Sequence, residues 1–323
     1  MPVVAADAAS RSPGPPPALR VGYLGPAGTF TEQALRSEPA LAGCDFVALP
    51  SIPEVLEAAA GDLDLGFAAI ENSIEGSVNI TLDTLAFDAD LLIQRETILS
   101  VRLNLLAPVG SDLEGIERIV SFPHAVAQCR SFLRRRLPQA RIDAANSTAE
   151  AVRATAAGGD PRTAAIGTEL AGALYNLNVL ATDIGDHRGN QTRFVTVAAR
   201  GIPSPTGHDK TSLVTFQRSD RPGSLLNILQ EFAARSINLT KLESRPTKRS
   251  LGDYCFIIDL AGHVADELVA DCLLNIQAKQ ADVKFLGSYP AGGERADGAR
   301  READDAWRRA AAWIDTVRAH LAS

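Results

Sequence analysis

The stretch Leu65-Gly66-Phe67-Ala68-Ala69-Ile70, followed at once by Glu71-Asn72-Ser73-Ile74-Glu75-Gly76-Ser77, decides how the chain is read. A short apolar run bounded by polar residues and glycine is a buried strand, and six of the next seven residues are polar or glycine. A polar cluster just past the carboxyl end of a strand is where open α/β sheets place their ligands. A helix cap plus a turn accounts for Ser73 and Gly76, but not for Glu71 and Asn72 together. Around this segment, apolar runs alternate with helical patterns: Val21 to Leu24 then Thr31 to Arg36, Phe46 to Leu49 then Pro53 to Ala60, and Ile80 to Phe87 downstream. Strands separated by amphipathic helices imply a mainly parallel sheet covered on its faces.

A second series follows. Leu103 to Ala107, Arg118 to Phe122, Arg141 to Ala145, Ala164 to Gly167, Val179 to Ile184 and Arg193 to Ala198 read as strands. Helices are expected at Ala125 to Leu137, Thr148 to Ala157 and Glu169 to Tyr175. Two successive α/β lobes of similar size imply a ligand cleft between them. Gly201 to Lys210 has linker composition. Beyond it, strand and helix patterns run βαββαβ from Ser212 to Gly287, the ferredoxin-like order. The expected division is a flexible arm over 1–19, a two-lobed α/β domain over 20–200, a linker over 201–210, a small ferredoxin-like domain over 211–290 and a helical tail over 291–323. The tail carries both tryptophans, Trp307 and Trp313, and its stripe of Trp307, Ala310, Ile314, Val317 and Leu321 needs a surface to cover.

Composition narrows the function. The 323 residues carry a formal charge of −7, with 46% hydrophobic and 22% charged residues. That is an ordinary globular chain with no basic field for nucleic acid. No apolar stretch approaches the roughly 18 residues of a membrane span, and the opening residues lack the basic start and apolar core of a secretory signal. Cys44, Cys129, Cys255 and Cys272 have neither zinc nor redox spacing, so reduced cysteines in a cytoplasmic protein are expected.

Three more segments carry chemistry. Gly22, Gly25 and Gly28, followed by Thr29-Phe30-Thr31, form a glycine-rich turn between the first strand and the first helix. The spacing departs from the dinucleotide fingerprint, leaving a capped tight turn or a helix start whose amides meet a carboxylate. Ser121-Phe122-Pro123-His124 follows a strand and opens the helix containing Gln128. Asn190-Gln191-Thr192-Arg193-Phe194 leads into a strand, and an arginine beside a hydroxyl suits bidentate carboxylate recognition.

Gly25-Pro26-Ala27-Gly28-Thr29 with Ala34, Glu71-Asn72-Ser73, and Thr192-Arg193-Phe194 together resemble the prephenate dehydratase family. Arg221-Pro222-Gly223-Ser224-Leu225 and Glu243-Ser244-Arg245-Pro246 resemble an ACT domain, the amino-acid-sensing module often fused to it. The resemblance covers about Arg20 to Pro290. It departs from the usual pattern where Ser121-Phe122-Pro123-His124 stands for Ser-His-Pro-Gln, and where Ser224 replaces an alanine.

The resemblance implies periplasmic-binding-protein-like α/β lobes and a ferredoxin-like ACT domain. It implies a cofactor- and metal-free lyase that converts prephenate to phenylpyruvate with loss of carbon dioxide and water, regulated by L-phenylalanine. By family match Thr192 is the residue essential for activity. Because residues 21–200 contain no lysine, Arg193 is expected as the cationic grip. Thr192 is assigned the hydrogen bond to the leaving hydroxyl, and Glu71 is a candidate source of the proton. Thr29, Asn72, Ser73, Ser121 and Gln128 are expected to position the substrate, with Phe194 as an apolar wall. Gly223, Ser224, Leu225, Asn238, Glu243, Ser244, Arg245 and Pro246 are expected around the effector, in a homodimer or homotetramer. The alternatives are an arogenate dehydratase and a non-catalytic amino-acid sensor.

Overall fold

The computed structural model describes residues 18–217, 221–248, 252–293, 309–310 and 312–320. Residues 1–17 of the expected arm, and Trp307 and Leu321 of the tail stripe, lie outside these residues. The first lobe runs β1 (Arg20–Leu24), α1 (Phe30–Ser37), β2 (Asp45–Leu49), α2 (Ile52–Ala60), β3 (Leu65–Asn72), β4 (Gly76–Ser77), α3 (Asn79–Asp83) and β5 (Leu92–Ser100). Polar caps start its two longer helices: Thr29 Oγ1 accepts from Glu32 N and Ser51 Oγ from Glu54 N, satisfying amides that have no partner within the helix.

The second lobe runs β6 (Asn104–Ala107), β7 (Arg118–Ser121), α4 (Pro123–Ala127), α5 (Arg130–Arg136), β8 (Arg141–Ala144), α6 (Thr148–Gly158), β9 (Thr163–Gly167), α7 (Glu169–Leu174) and β10 (Asn178–Ala181). Its sheet has the order β10-β6-β9-β7-β8. The helix expected over Ala125 to Leu137 is broken at Gln128 and Cys129, and the Asp186 carboxylate accepts from Ser131 N at the start of the second piece.

The chain then returns. β11 (Gln191–Ala198) belongs to the first lobe, not the second as its position in the sequence suggested, and lies antiparallel between β3 and β5. The first sheet is therefore β2-β1-β3-β11-β5, with β4 on β3. One lobe is inserted into the other, and the chain passes between them twice. Strand β5 escaped the sequence reading because Gln94-Arg95-Glu96 interrupts its apolar pattern. Glu96 is nevertheless buried, with Lys210 Nζ at 2.8 Å.

The remainder is β12 (Asp209–Gln217), α8 (Ser224–Ala233), β13 (Leu239–Pro246), β14 (Tyr254–Ala261), α9 (Glu267–Asn275) and β15 (Ala281–Pro290). These strands pair antiparallel in the order β13-β14-β12-β15, as the βαββαβ reading requires. One face of this sheet packs on α8 and α9 through Leu213, Phe232, Ile258 and Cys272. The opposite face shares a core with the first lobe: Val214, Ile257, Leu286 and Tyr289 join Ile70, Leu85, Ile93, Val195 and Val197. The small domain thus covers the first lobe's sheet beside α2 as a further layer. Gly287 permits the approach, since a Cβ there would meet the Ile93 carbonyl oxygen at 2.6 Å. In the tail, Trp313, Ile314 and Val317 are exposed.

Candidate active site

Between the lobes lies a cleft of about 390 Å³. Side chains alternate across a strand, so Thr192 and Phe194 of β11 face the cleft while Arg193 faces away. Asn72 at the end of β3 is the register partner of Thr192 and lines the same cleft.

A chain of side-chain contacts crosses the cleft floor and joins the lobes. Asn72 Nδ2 donates to Thr192 Oγ1 at 2.9 Å and to Asn190 Oδ1 at 2.8 Å. Asn190 Nδ2 donates to Gln128 Oε1 at 3.2 Å, and Gln128 Nε2 donates to Glu75 Oε1 at 3.1 Å. Glu75 Oε2 lies 3.3 Å from Nδ1 of His124, whose ring stacks on Phe122. Asn72 is itself oriented, because its Oδ1 accepts from the amides of Ile74 and Glu75. Thr192 Oγ1 therefore receives a hydrogen bond, which leaves its own proton free to be donated into the cleft.

Two helices open onto the cleft from opposite lobes. Phe30 and Thr31 begin α1 behind the Thr29 cap, and Thr148 begins α6 behind Ser147, which accepts from Glu150 N at 3.0 Å. Such N-termini attract anions through free amides and the helix dipole. The glycine turn is held closed by Glu32, which accepts from Gly28 N at 2.6 Å and from Arg36 Nε at 2.8 Å. Gly28 has φ +90°, and a Cβ there would meet Ala171 of the second lobe at 2.9 Å. Leu24, Ala69, Val101, Leu103 and Phe194 supply the apolar wall.

Four expected site residues lie elsewhere. Arg193 does not reach the cleft: its Nη1 is 2.6 Å from Asp259 Oδ2, its Nη2 donates to the Tyr289 hydroxyl at 2.9 Å and its Nε lies 2.6 Å from Glu96 Oε1. Burial opposes its charge, but Tyr289, Asp259 and Glu96 outweigh it and raise the guanidinium pKa well above its usual value. Glu71, the register partner of Arg193, shares its face and pairs with Arg193 and Lys241, so it is not placed to protonate a ligand in the cleft. Ser121 is fully buried and donates to the Ile166 carbonyl, while Ser73 Oγ accepts from Gln191 N and zips β3 to β11. No arginine or lysine lines the cleft among the described residues; its ionisable groups are Glu75 and His124. The groups that face the cleft and could meet an anion are amides and hydroxyls. Neither Asn190, Glu75 and His124 nor the Ser147 cap had been assigned a role, although each belongs to a polar cluster flanking a strand. No group of three or more His, Cys, Asp or Glu among the described residues is placed to hold a metal.

The small domain has its own cavity, about 540 Å³, lined by Gly223, Ser224, Leu225 and Ser244 as expected, and also by Arg221, Leu229, Tyr254 and Phe256. Gly223 has φ +89°, which lets the turn open onto α8. Strand alternation sends Glu243 and Arg245 to the other face, onto the first lobe. Ser77 donates to Glu243, and Arg245 bonds Asn79 and lies 3.5 Å from Asp83. Burial raises the Glu243 pKa, but the Ser77 hydroxyl, Lys241 and Arg245 outweigh it, and the net shift is downward. Asn238 and Pro246 are exposed and do not line this cavity within one subunit.

A two-lobed α/β cleft with a hydroxyl donor, helix N-termini for anions and an attached ferredoxin-like module defines a small-molecule enzyme with a regulatory domain. Residues 21–201 match the family profile described as prephenate dehydratase, and residues 211–277 that of the ACT domain. The chain belongs to the prephenate dehydratase family. It is 42% identical to the prephenate dehydratase of Amycolatopsis methanolica over 92% of this chain and 97% of that one. Among solved structures, it is similar to the Arthrobacter aurescens prephenate dehydratase in complex with L-Phe, at 40% identity and TM-score 0.84, covering 93% of this chain and 99% of that one. A structure described as a novel type of quorum-quenching acylase matches at 27% identity and TM-score 0.75, covering 84% of this chain and 98% of that one.

Proposed function

We propose that the cleft binds prephenate and converts it to phenylpyruvate, with Thr192 as hydrogen-bond donor to the departing hydroxyl. The observation that carries this role is the bond from Asn72 Nδ2 to Thr192 Oγ1 at 2.9 Å, which directs the threonine proton into the cleft. The ring carboxylate bond breaks, its electron pair moves through the diene, and the C4 oxygen leaves as water with one added proton. A threonine is too weak an acid to supply that proton alone; its donation stabilises charge as it develops on the leaving oxygen. The two substrate carboxylates are met at the N-termini of α1 and α6, and the apolar wall weakens hydration of the carboxylate that is lost, a contested contribution.

Function follows the site rather than the fold, which bears on the acylase likeness. His124 contacts Glu75, and no cleft hydroxyl among the described residues is hydrogen-bonded to it, so a histidine-activated nucleophile is not assembled. The decisive test is incubation of the purified protein with prephenate and with arogenate, comparing kcat/KM. Phenylpyruvate formed from prephenate at the higher value supports the reading; preference for arogenate or no turnover overturns it.

L-Phenylalanine is the proposed effector, its carboxylate at the Gly223 turn and its ring against Leu225, Tyr254 and Phe256 in the cavity of the small domain. Calorimetric titration with L-phenylalanine, paired with inhibition of turnover, tests this. The proposed assembly is a homodimer or homotetramer, supported by the exposed apolar groups Leu226, Leu242 and Tyr254 and checked by light scattering. The four free cysteines fit a reducing, cytoplasmic setting, and no helix of the described residues is long and apolar enough to cross a membrane.

A further inference from the structure

Arg193, Tyr289, Ser212 and Asp259 close a ring of side chains behind the cleft. Arg193 Nη2 donates to the Tyr289 hydroxyl at 2.9 Å, Tyr289 lies 2.6 Å from Ser212 Oγ, Ser212 donates to Asp259 Oδ1, and Asp259 Oδ2 lies 2.6 Å from Arg193 Nη1. Because Ser212 gives its proton to the carboxylate, Tyr289 must be the donor to Ser212, so one orientation satisfies every member. Burial, then Asp259, holds the tyrosine pKa above its usual value, so its proton stays in place. Ser212, Asp259 and Tyr289 are nearly inaccessible and lie on the ACT sheet, whereas Arg193 lies on the catalytic strand.

A second observation places this ring beside an irregularity in the pairing of that strand with β3. Pairing of β11 with β3 runs Thr192 with Asn72 and Arg193 with Glu71, then skips to Phe194 with Ala69. The extra residue is Ile70 of β3, opposite Arg193 and Phe194, while β11 stays paired with β5 from Gln191 to Thr196. Bulges interrupt the backbone ladder and re-aim side chains next to active sites, so on its β3 side β11 has a local break that side-chain anchoring supplements. The anchor is Arg193, and its partners are supplied by the ACT domain.

We propose that Asp259 and Tyr289 are positioning residues for the dehydration, holding Arg193 and thereby the stretch of β11, opposite the β3 bulge, that aims Thr192 into the cleft. This rests on the reading of Thr192 as the hydroxyl donor. The ACT domain is then part of the catalytic architecture as well as a sensor, and a partner lost from the ring misdirects Thr192 while the helix N-termini that meet the substrate carboxylates stay in place.

The test uses the full chain with prephenate. Tyr289→Phe removes the two bonds of the hydroxyl, from Arg193 and to Ser212, with little change in volume, and Asp259→Asn removes the counter-charge. Displacements of about 1 Å cost on the order of 100-fold in rate. Asp259→Asn should therefore lower kcat by roughly 10- to 100-fold and Tyr289→Phe by several-fold, with KM changed by less than about twofold. The control is Arg235→Ala, which breaks ion pairs to Glu231 and Asp271 on the outer helices and should lower the Tm while leaving kcat unchanged. If Asp259→Asn does not fold, Tyr289→Phe decides. Folded variants with the parent kcat, or with only KM raised, overturn the inference. Thr192→Ala, assayed alongside, separates the two claims: an inactive Thr192→Ala beside fully active ring variants refutes the positioning role alone, whereas an active Thr192→Ala refutes the donor reading and this inference with it.

Discussion

Thr192 and Arg193, neighbours on β11, point to opposite faces of one sheet. Thr192 accepts from Asn72 at 2.9 Å over the cleft, and Arg193 is 2.6 Å from Asp259 on the ACT side. One strand therefore carries both the hydroxyl assigned to chemistry and a buried polar tie to the regulatory domain.

Replacing the hydroxyl tests the first half of that relationship. Thr192→Ala is expected to lower kcat by about 10²- to 10³-fold, the effect of losing one donor to developing charge. Thr192→Ser should retain most of the rate. Steady-state kinetics with prephenate checks both; an unchanged kcat with raised KM would assign Thr192 to binding alone.

The helix caps should affect binding and stability together. Thr29→Ala and Ser147→Ala each remove the side-chain acceptor for a first-turn amide, at a cost of about 1 kcal/mol of stability. Each also loosens an N-terminus proposed to hold a carboxylate. KM for prephenate should rise several-fold with kcat nearly unchanged, alongside a lower urea midpoint.

Gly287→Ala is expected to be far more damaging than an ordinary surface change. The residue has φ +136°, and its Cβ would lie 2.6 Å from the Ile93 carbonyl oxygen and 2.9 Å from the Ile93 nitrogen. Strain and overpacking together should cost roughly 3 kcal/mol, read as a fall in denaturation midpoint.

Acid should loosen the interface made by Glu243. Its folded pKa lies below the unfolded value of about 4.3, so its stabilisation is complete above that value and is lost as pH falls through the folded pKa. Ser77→Ala removes one lowering contact. Its Tm should fall less steeply than that of the parent chain below about pH 4, where the two curves should converge.

The thiols should be sluggish and unequal. Burial first, then the nearby Asp186 carboxylate, pushes Cys129 up to about 12, and burial pushes Cys255 to about 11 and Cys272 to about 12. Cys44 is raised as well, mainly by burial, but is only half-buried. Thiolate is the reactive form. At pH 8 an aromatic disulfide reagent should therefore modify Cys44 first, with all four reacting only in denaturant.

Local pattern was enough for much of this protein. The apolar run before Glu71-Asn72-Ser73, the glycine turn and the βαββαβ order are short-range signals; of the residues that the resemblance singled out, Asn72, Thr192 and Phe194 line the cleft and Gly223, Ser224, Leu225 and Ser244 the second cavity. The alternation of Thr192, Arg193 and Phe194 was also present in the sequence, and it already required Arg193 to oppose Thr192. Which face met the cleft was not legible, because that depends on what packs against each side.

Three long-range pairings settled the rest. The return of β11 between β3 and β5 inserted one lobe into the other and brought Asn72 within reach of Thr192, 120 residues later. The ACT sheet, docked on the first lobe through a shared apolar core, gave Arg193 buried counter-charges and took Glu71, Glu243 and Arg245 for the interface. The approach of α1 and α6 brought two helix N-termini to the cleft, where the proposed reading has them meet the substrate carboxylates. Sequence periodicity determines which residues share a face; only the tertiary packing, which sets the burial and charge on each side, decides whether that face holds substrate or another domain.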